Sequence, residues 1–148
     1  MAPIVETIEI ARTPEAVFAY FNQLERHIEW QPSILSISGV TEGPVGVGTR
    51  STDTRRGPFG AKLKITYEIV EHDAPHRIRS RGINGPVRAI GTFTVDPIDD
   101  ASRSKVTLQL DFDGRGIGKL LAPLVRREAA KDVPQNYQLL KTLLEKDV

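Results

Sequence analysis

The chain has 148 residues, of which 39% are hydrophobic and 26% charged, and its 20 basic and 19 acidic residues leave a formal net charge of +1. This length and composition are typical of one globular domain with its own core, which we expect to span residues 1–148. The balanced charge excludes the overall basic field of many nucleic-acid-binding proteins, and the absence of cysteine excludes disulfides and thiolate metal sites.

The first predicted elements are a strand and two short helices. Residues 4–10 are β-branched and partly alternating, which predicts a strand. Thr13, Pro14 and Glu15 then supply an N-cap, a proline at the first helical position and an acid in the first turn. A second short helical segment is predicted to end at Trp30, because a proline follows two residues later.

Residues 35–112 predict a meander of six strands, because glycine–proline, asparagine–glycine and aspartate–proline turn signals recur along them. The clearest strand is 61–69, where apolar and polar residues alternate, so that one face is apolar and the other solvated. The inner face of the strand at 87–95 is small at its centre, with Ala89 and Gly91. Small inner residues leave room at the middle of a sheet, which is the first indication of a cavity.

The hairpin around residues 84–85 makes a register prediction. If Asn-Gly at these positions is the turn, Arg79 pairs with Ile90 on the outer face and Ser80 pairs with Ala89 on the inner face.

A long helix with one apolar stripe is predicted over residues 116–147. Its apolar residues recur at three- and four-residue steps: Ile117, Leu120, Leu121, Leu124, Val125, Val133, Tyr137, Leu140 and Leu144. Pro134 removes a backbone donor and is expected to kink the helix, and Pro123 is expected to mark a break after a short first turn. The predicted order is one strand, two short helices, six strands and a long helix, which is an α+β domain.

Four segments of this sequence stand in an informative order. They are the helix start at 13–18, the tryptophan–proline helix exit at 30–32, the glycine-rich hairpin at 43–49 and the helix end at 139–145. In this order they resemble the helix-grip fold of the SRPBCC/START-like superfamily, and within it the polyketide cyclase/dehydrase-like family.

The resemblance implies a curved antiparallel sheet of about seven strands wrapped around the C-terminal helix. It also implies a cavity between sheet and helix for a small hydrophobic or amphipathic molecule, such as a lipid, a polyketide-like compound or an aromatic metabolite. Because the superfamily includes carriers, cyclases, hydroxylase subunits and stress proteins, the resemblance does not decide between binding and catalysis.

The third strand, at 49–56, departs from the family pattern because neither of its faces is apolar. If its odd-numbered residues face inward, Ser51, Asp53 and Arg55 project toward the cavity and suit a ligand with a polar end. The alternative is a surface ion pair on an exposed edge, which contributes about 0–1 kcal/mol.

The leading hypothesis is a binding protein whose ligand meets apolar walls and a few polar groups. The expected polar contacts are Ser51, Asp53, Arg55 and Tyr67, and Phe59, with Pro58, is expected to form part of a lid. The expected apolar contacts are Trp30, Leu63, Ile65, Phe93, Leu110, Leu121, Leu124 and Tyr137. Because Trp30 lies at the end of the second predicted helix, it also suits the role of a structural anchor.

A second hypothesis is a metal-free cyclase, dehydratase or isomerase that acts on a polyketide-type substrate in the same cavity. Asp53 would then be the base, and Arg55 and Tyr67 would stabilise an enolate oxygen. A third is an interaction protein whose core is filled. A buried Asp53 favours chemistry over simple binding.

No metal or cofactor is expected, because His72, Asp73 and His76 share one turn without a further ligand in sequence. The arginines within 77–81 are interpreted as a solvated outer face, so no nucleic-acid partner is expected. Residues 1–10 lack the features of a signal peptide, and no apolar run reaches the roughly 18–20 residues of a membrane span. We therefore expect a cytoplasmic protein without membrane insertion, as a monomer or a homodimer.

Overall fold

The computed structural model describes residues 2–146. Over these residues the chain forms β1 (Ile4–Ile10), α1 (Pro14–Phe21), a 3₁₀ helix (Leu24–Glu29), β2 (Ile34–Ser38), β3 (Arg50–Arg56), a 3₁₀ turn (Pro58–Gly60), β4 (Lys62–Asp73), β5 (Arg77–Gly82), β6 (Val87–Ile98), β7 (Arg103–Gly114) and α2 (Gly118–Lys146). This order confirms the predicted sequence of elements.

The strands form one antiparallel, curved sheet in the order β1-β7-β6-β5-β4-β3-β2. The helix α2 packs across β1, β7 and β6. The core lies on the inner face of the sheet, where α1, the first 3₁₀ helix and the second half of α2 meet the strands. Its most deeply buried large side chains are Trp30, Phe93, Ile10, Leu140, Val17, Val95 and Val106.

The start of α1 follows its predicted signals. Thr13 is the N-cap, and its Oγ1 accepts a hydrogen bond from the backbone N–H of Ala16 at 3.2 Å. Pro14 is the first helical residue, where its missing N–H has no intrahelical partner to lose. The cap therefore fixes where α1 begins, and α1 in turn places Phe21 beside the first 3₁₀ helix.

The predicted register of the β5–β6 hairpin is wrong by two residues. Arg79 pairs with Thr92 and Ser80 with Gly91. The connection is longer than a two-residue turn, because β5 ends at Gly82, β6 begins at Val87 and the intervening loop bonds to β4. A shift of two residues keeps every side chain on its predicted face, so the small residues of β6 still face inward.

The helix α2 runs from Gly118 to Lys146 without the predicted break, and both Pro123 and Pro134 lie inside it. Its buried stripe is also rotated from the predicted one over its first turns. Leu120 and Leu121 are exposed, whereas the small residues Gly118 and Ala122 are buried.

A close approach explains this rotation. A Cβ added to Gly118 would collide with the carbonyl oxygen of Pro86 in the β5–β6 loop, so only a glycine fits where the helix meets that loop. The stripe then continues through Val125, Ala129, Val133, Tyr137, Leu140 and Leu144.

The C-terminal end of α2 is tied to the end of β1 and the residues after it. The Ala11 N–H donates to Glu145 Oε2 at 2.8 Å, Arg12 Nη1 donates to the Leu144 carbonyl at 2.8 Å, and Lys141 Nζ donates to the Glu9 carbonyl. Within residues 2–146, no helix combines the length and apolar character needed to cross a lipid bilayer.

Candidate ligand-binding cavity

A cavity of about 240 Å³ lies between the inner face of the sheet and α2. Strands β3 to β7, the first 3₁₀ helix and α2 contribute to its wall. At the middle of the sheet the wall is formed by Ser80, Ala89 and Gly91, the small residues that the sequence places there. These small side chains leave space between the middle of the sheet and α2.

The inner face of β3 supplies the polar part of the wall. Ser51, Asp53 and Arg55 line the cavity, so the odd-numbered residues of this strand do face inward. The register explains the alternation, because Asp53 pairs with Ile65 and Arg55 with Leu63, both of which also line the cavity. Asp53 is only 6% exposed, which excludes an ion pair on an open surface.

Asp53 and Arg55 form a short ion pair. Arg55 donates to Asp53 Oδ2 from Nη2 at 2.8 Å and from Nε at 3.3 Å. The same Nη2 donates to Gln31 Oε1 at 2.8 Å, which anchors the guanidinium to the segment that follows Trp30. Burial opposes the charge of Arg55, but Tyr67, Asp53 and Asp132 outweigh that effect and raise the pKa of the guanidinium above its usual value.

Tyr67 stands beside this pair on β4, with the Arg55 Cζ atom 5.9 Å from its ring centroid. Burial raises the pKa of the phenol, and Asp53 adds to the shift while Arg55 opposes it. Tyr67 is therefore a neutral phenol that can donate or accept. Among the described residues its hydroxyl has no hydrogen-bond partner, so that capacity is free for a guest in the cavity.

His27 is a cavity residue that the sequence does not single out. It lines the wall from the first 3₁₀ helix, and its Nε2 lies 2.6 Å from the carbonyl oxygen of Phe21. Burial lowers the pKa of the imidazole, against the opposing influences of the Phe21 carbonyl and Asp53. Its position three residues before Trp30 places both side chains on one face of a short helix, and that spacing is the signal that could have revealed it.

Aromatic rings form the end of the cavity near His27. The His27 ring centroid is 4.8 Å from that of Phe21 and 5.1 Å from that of Trp30, and Trp30 meets Tyr137 edge-on at 5.4 Å. Trp30 is 2% exposed, and its Nε1–H has no hydrogen-bond partner among the described atoms. Trp30 therefore walls the cavity and anchors the core at the same time.

The structure brings most of the predicted contact residues to the cavity wall. They are Trp30, Ser51, Asp53, Arg55, Leu63, Ile65, Tyr67, Leu110 and Tyr137. Four others do not line it. Phe93 is buried behind the wall, stacked on Phe21 with a centroid distance of 3.6 Å, and Leu121 and Leu124 lie off the buried stripe of α2.

Phe59 is the fourth, and it is 94% exposed in the turn between β3 and β4. This turn follows Arg56 and Gly57, which line the cavity, and it contacts α2. The ring therefore stands next to the cavity wall without covering the cavity.

The sequence profile of the family described as "Polyketide cyclase / dehydrase and lipid transport" matches residues 1–145. The chain belongs to this family. The match spans every strand and nearly all of α2, so the cavity described above lies wholly inside the family's domain. Among curated proteins, none matches the sequence.

Solved structures show the same fold as this polyketide cyclase/dehydrase and lipid transport family member. A START superfamily protein from Mycobacterium smegmatis is similar with a TM-score of 0.78 at 13% identity, covering 100% of both chains. A protein from Thermus thermophilus, TTHA0849, gives 0.77 at 23% identity over 96% of each chain, and DR_A0006 from Deinococcus radiodurans gives 0.72 at 15% identity over 100% of each. The predicted helix-grip, START-like fold is confirmed.

Proposed function

We propose that this protein binds a small amphipathic molecule in the cavity between the sheet and α2. The observation that carries the proposal is a space of about 240 Å³ with mainly apolar walls and one polar end, where Asp53, Arg55 and Tyr67 meet. Pockets that hold small molecules share this composition of apolar walls and a few placed polar groups.

The size of the space favours a compact guest. Ligand pockets for drug-sized molecules have volumes of roughly 300–1,000 Å³, and this cavity lies just below that range. A molecule of one or two rings, or a short branched chain, suits it better than a long extended acyl chain.

The buried ion pair supports a binding role. Two charges removed from water contribute little net stability, because the cost of desolvation offsets most of their attraction. Two apolar residues at positions 53 and 55 would fill this end of the cavity without a desolvation cost. The presence of Asp53 and Arg55 there therefore favours a ligand with a polar group that they recognise.

Phe59 supports a lid. Its backbone φ of 60° lies in the left-handed region, which costs a non-glycine residue roughly 1–2 kcal/mol, and its ring is exposed. Strain of this kind is concentrated at functional sites. In our proposal the ring folds over the guest when the cavity is occupied.

An enzyme of the cyclase, dehydratase or isomerase type is the alternative. Asp53 is buried, as that hypothesis requires, but its Oδ2 accepts two hydrogen bonds from Arg55, which holds the carboxylate in an ion pair. The geometry therefore favours recognition by the pair over proton transfer by Asp53.

The test combines native mass spectrometry of the gently purified protein with a cavity-filling variant. Ala89→Leu places three extra carbons in the cavity from β6, and Ala130→Leu makes the same change on the exposed face of α2. We expect a small molecule bound to the unmodified protein and to Ala130→Leu, but not to Ala89→Leu. Binding that survives Ala89→Leu unchanged would place the ligand elsewhere and reject the proposal.

A further inference from the structure

We propose that His27 Nδ1 accepts a hydrogen bond from a hydroxyl group of the ligand, so that the cavity selects a neutral hydroxyl compound over the matching carboxylate. This inference rests on the proposed function, and it adds a specificity-determining residue and the chemical class of the ligand's polar end.

The contact of His27 with the Phe21 carbonyl fixes the tautomer of the imidazole. A carbonyl oxygen can only accept, so the 2.6 Å contact with the Phe21 carbonyl requires that Nε2 carry the proton. In the neutral imidazole the other nitrogen, Nδ1, is then an acceptor. The ring packs between Phe21 and Trp30, so its orientation is held by contacts on both sides.

The second ring nitrogen of His27, Nδ1, is available to a guest in the cavity. Nδ1 has no hydrogen-bond partner within residues 2–146, although the ring lines the cavity. Nδ1 is not fully buried, because within the described part of the chain Trp30 Nε1 is the one fully buried polar side-chain atom without a partner. An accessible acceptor on a cavity wall is a place where a donor group of the guest can bind.

The charged side chains around His27 and along the cavity wall disfavour an anionic guest. Asp53 and Arg55 act on His27 from β3, and Glu25 acts on it from its own 3₁₀ helix. Arg55 is already paired with Asp53, and Glu128 and Asp132 of α2 also line the cavity, against one further cation, Arg56. Three acidic and two basic side chains leave no spare positive charge for a carboxylate guest.

The tautomer of His27, its unpartnered Nδ1 and the charges of the cavity wall together define the polar end of the guest. Its hydroxyl donates to His27 Nδ1, and the oxygen of that hydroxyl, or an acceptor beside it, receives a hydrogen bond from Tyr67 or Arg55. A compact ring system with a neutral hydroxyl meets both the shape and the charge of the cavity.

The experiment uses three probes with the same ring system: 2-naphthol, 2-naphthoate and 2-methylnaphthalene. Their affinities are measured by isothermal titration calorimetry at pH 7.5 for the unmodified protein and for His27→Gln. Glutamine retains an N–H for the Phe21 carbonyl, and its own acceptor, Oε1, lies on the same amide group and is displaced from the position of Nδ1.

We expect 2-naphthol to bind about 3- to 10-fold more tightly than 2-methylnaphthalene, as one added hydrogen bond allows, and 2-naphthoate to bind most weakly. In His27→Gln the preference for 2-naphthol should fall to about 1- to 2-fold, while 2-methylnaphthalene binding stays unchanged. Equal binding of 2-naphthol and 2-methylnaphthalene by the unmodified protein, or tightest binding of 2-naphthoate, would overturn the inference and leave the proposed function intact.

Failure of all three probes to bind would overturn this inference, and together with the absence of a bound small molecule in native mass spectrometry it would overturn the proposed function as well. If His27→Gln does not fold, ¹⁵N NMR of the histidine side chains in the unmodified protein decides the same question. Addition of 2-naphthol should shift the Nδ1 resonance of His27 upfield, and addition of 2-methylnaphthalene should not. An Nδ1 resonance that responds equally to both probes would reject the hydrogen bond.

Discussion

Asp53 Oδ2 and Arg55 Nη2 lie 2.8 Å apart on the inner face of β3, two positions from each other along the strand. This spacing puts both side chains on the same face, and the pairing with β4 puts that face against the cavity. The ion pair is thus a part of the cavity wall whose charges are largely hidden from water.

Asp53→Asn should therefore destabilise the protein, because it leaves the guanidinium of Arg55, whose side chain is only 23% exposed, without its counter-charge. We expect a loss of about 3 kcal/mol in the free energy of unfolding, measured by urea denaturation. The double variant Asp53→Leu/Arg55→Met should recover most of this loss, because it removes both charges and their desolvation cost.

The matched control is Glu68, which lies 2.8 Å from Arg50 Nη2 and 3.6 Å from Arg81 Nη2, but whose two arginine partners are 57% and 58% exposed. Glu68→Gln should cost no more than about 1 kcal/mol. If Asp53→Asn and Glu68→Gln lower stability equally, burial is not what distinguishes the two pairs.

Close backbone approach makes a second prediction, at Gly118. Gly118 is the first residue of α2 and its backbone is not left-handed, so Gly118→Ala would be tolerated if space allowed. An added Cβ here meets the carbonyl group of Pro86, which is backbone and cannot move aside. We expect Gly118→Ala to lower the thermal midpoint, with a net cost of about 1–3 kcal/mol.

Gly46→Ala is the control for Gly118→Ala. At Gly46 no described atom lies within 4 Å of an added Cβ, and the backbone is not left-handed. Its thermal midpoint should match that of the unmodified protein. A Gly118→Ala variant that is as stable as Gly46→Ala would mean that the α2 start does not contact the β5–β6 loop as closely as described.

The sequence was sufficient for the features that depend on alternation along a strand. Asp53 and Arg55 share a face whatever the register, and Ala89 and Gly91 stay inward even though their predicted partners were wrong by two residues. A period of two survives any even shift, so the small centre of the cavity could be predicted, whereas alternation alone left open which face of β3 meets the cavity.

Features set by contacts distant in sequence could not be predicted in this way. Leu121 belongs to the apolar stripe predicted for α2. The contact of Gly118 with Pro86 rotates the start of the helix, so that Leu121 is 37% exposed. Phe93 has the right face, but Phe21 of α1 stacks on it and separates it from the cavity. The orientation of His27 depends on a nearer residue, because its ring contacts the Phe21 carbonyl at the end of α1, and the residue pattern around His27 does not show that contact.

The exposed Phe59 ring gives a third prediction, which separates backbone strain from ligand contact. Phe59→Gly and Phe59→Ala both remove the ring, but only glycine relieves the left-handed backbone. The glycine variant should therefore be more stable than the alanine variant by about 1 kcal/mol in urea denaturation. Both should bind 2-naphthol more weakly, and by similar factors, if the ring covers the guest. Unchanged affinity in both variants would remove Phe59 from the lid.

The partly buried imidazole of His27 makes stability depend on pH. Burial lowers its pKa below the usual 6.5, so in the folded protein it stays neutral at a pH where the unfolded chain already binds a proton. The stability contributed by the neutral ring is fully present at pH values above the pKa of His27 in the unfolded chain. It is lost as the pH falls through 6.5 toward the lower pKa of His27 in the folded protein. The charged groups that act on the ring are Asp53 and Arg55 of β3 and Glu25 of its own 3₁₀ helix, and burial outweighs their combined influence on its pKa.

We therefore expect the urea midpoint of the unmodified protein to decrease between pH 7.5 and 5.5, and that of His27→Gln to decrease less. His72 and His76 remain in both proteins, so the difference between the two pH profiles isolates His27. The carboxylates of Glu29 and Glu145, whose pKa values are lowered by hydrogen bonds from Arg26 and from the Ala11 N–H, act only at more acidic pH. Parallel profiles for the two proteins would show that His27 takes up its proton equally well in the folded chain, and its Nδ1 would then not be a neutral acceptor across this range.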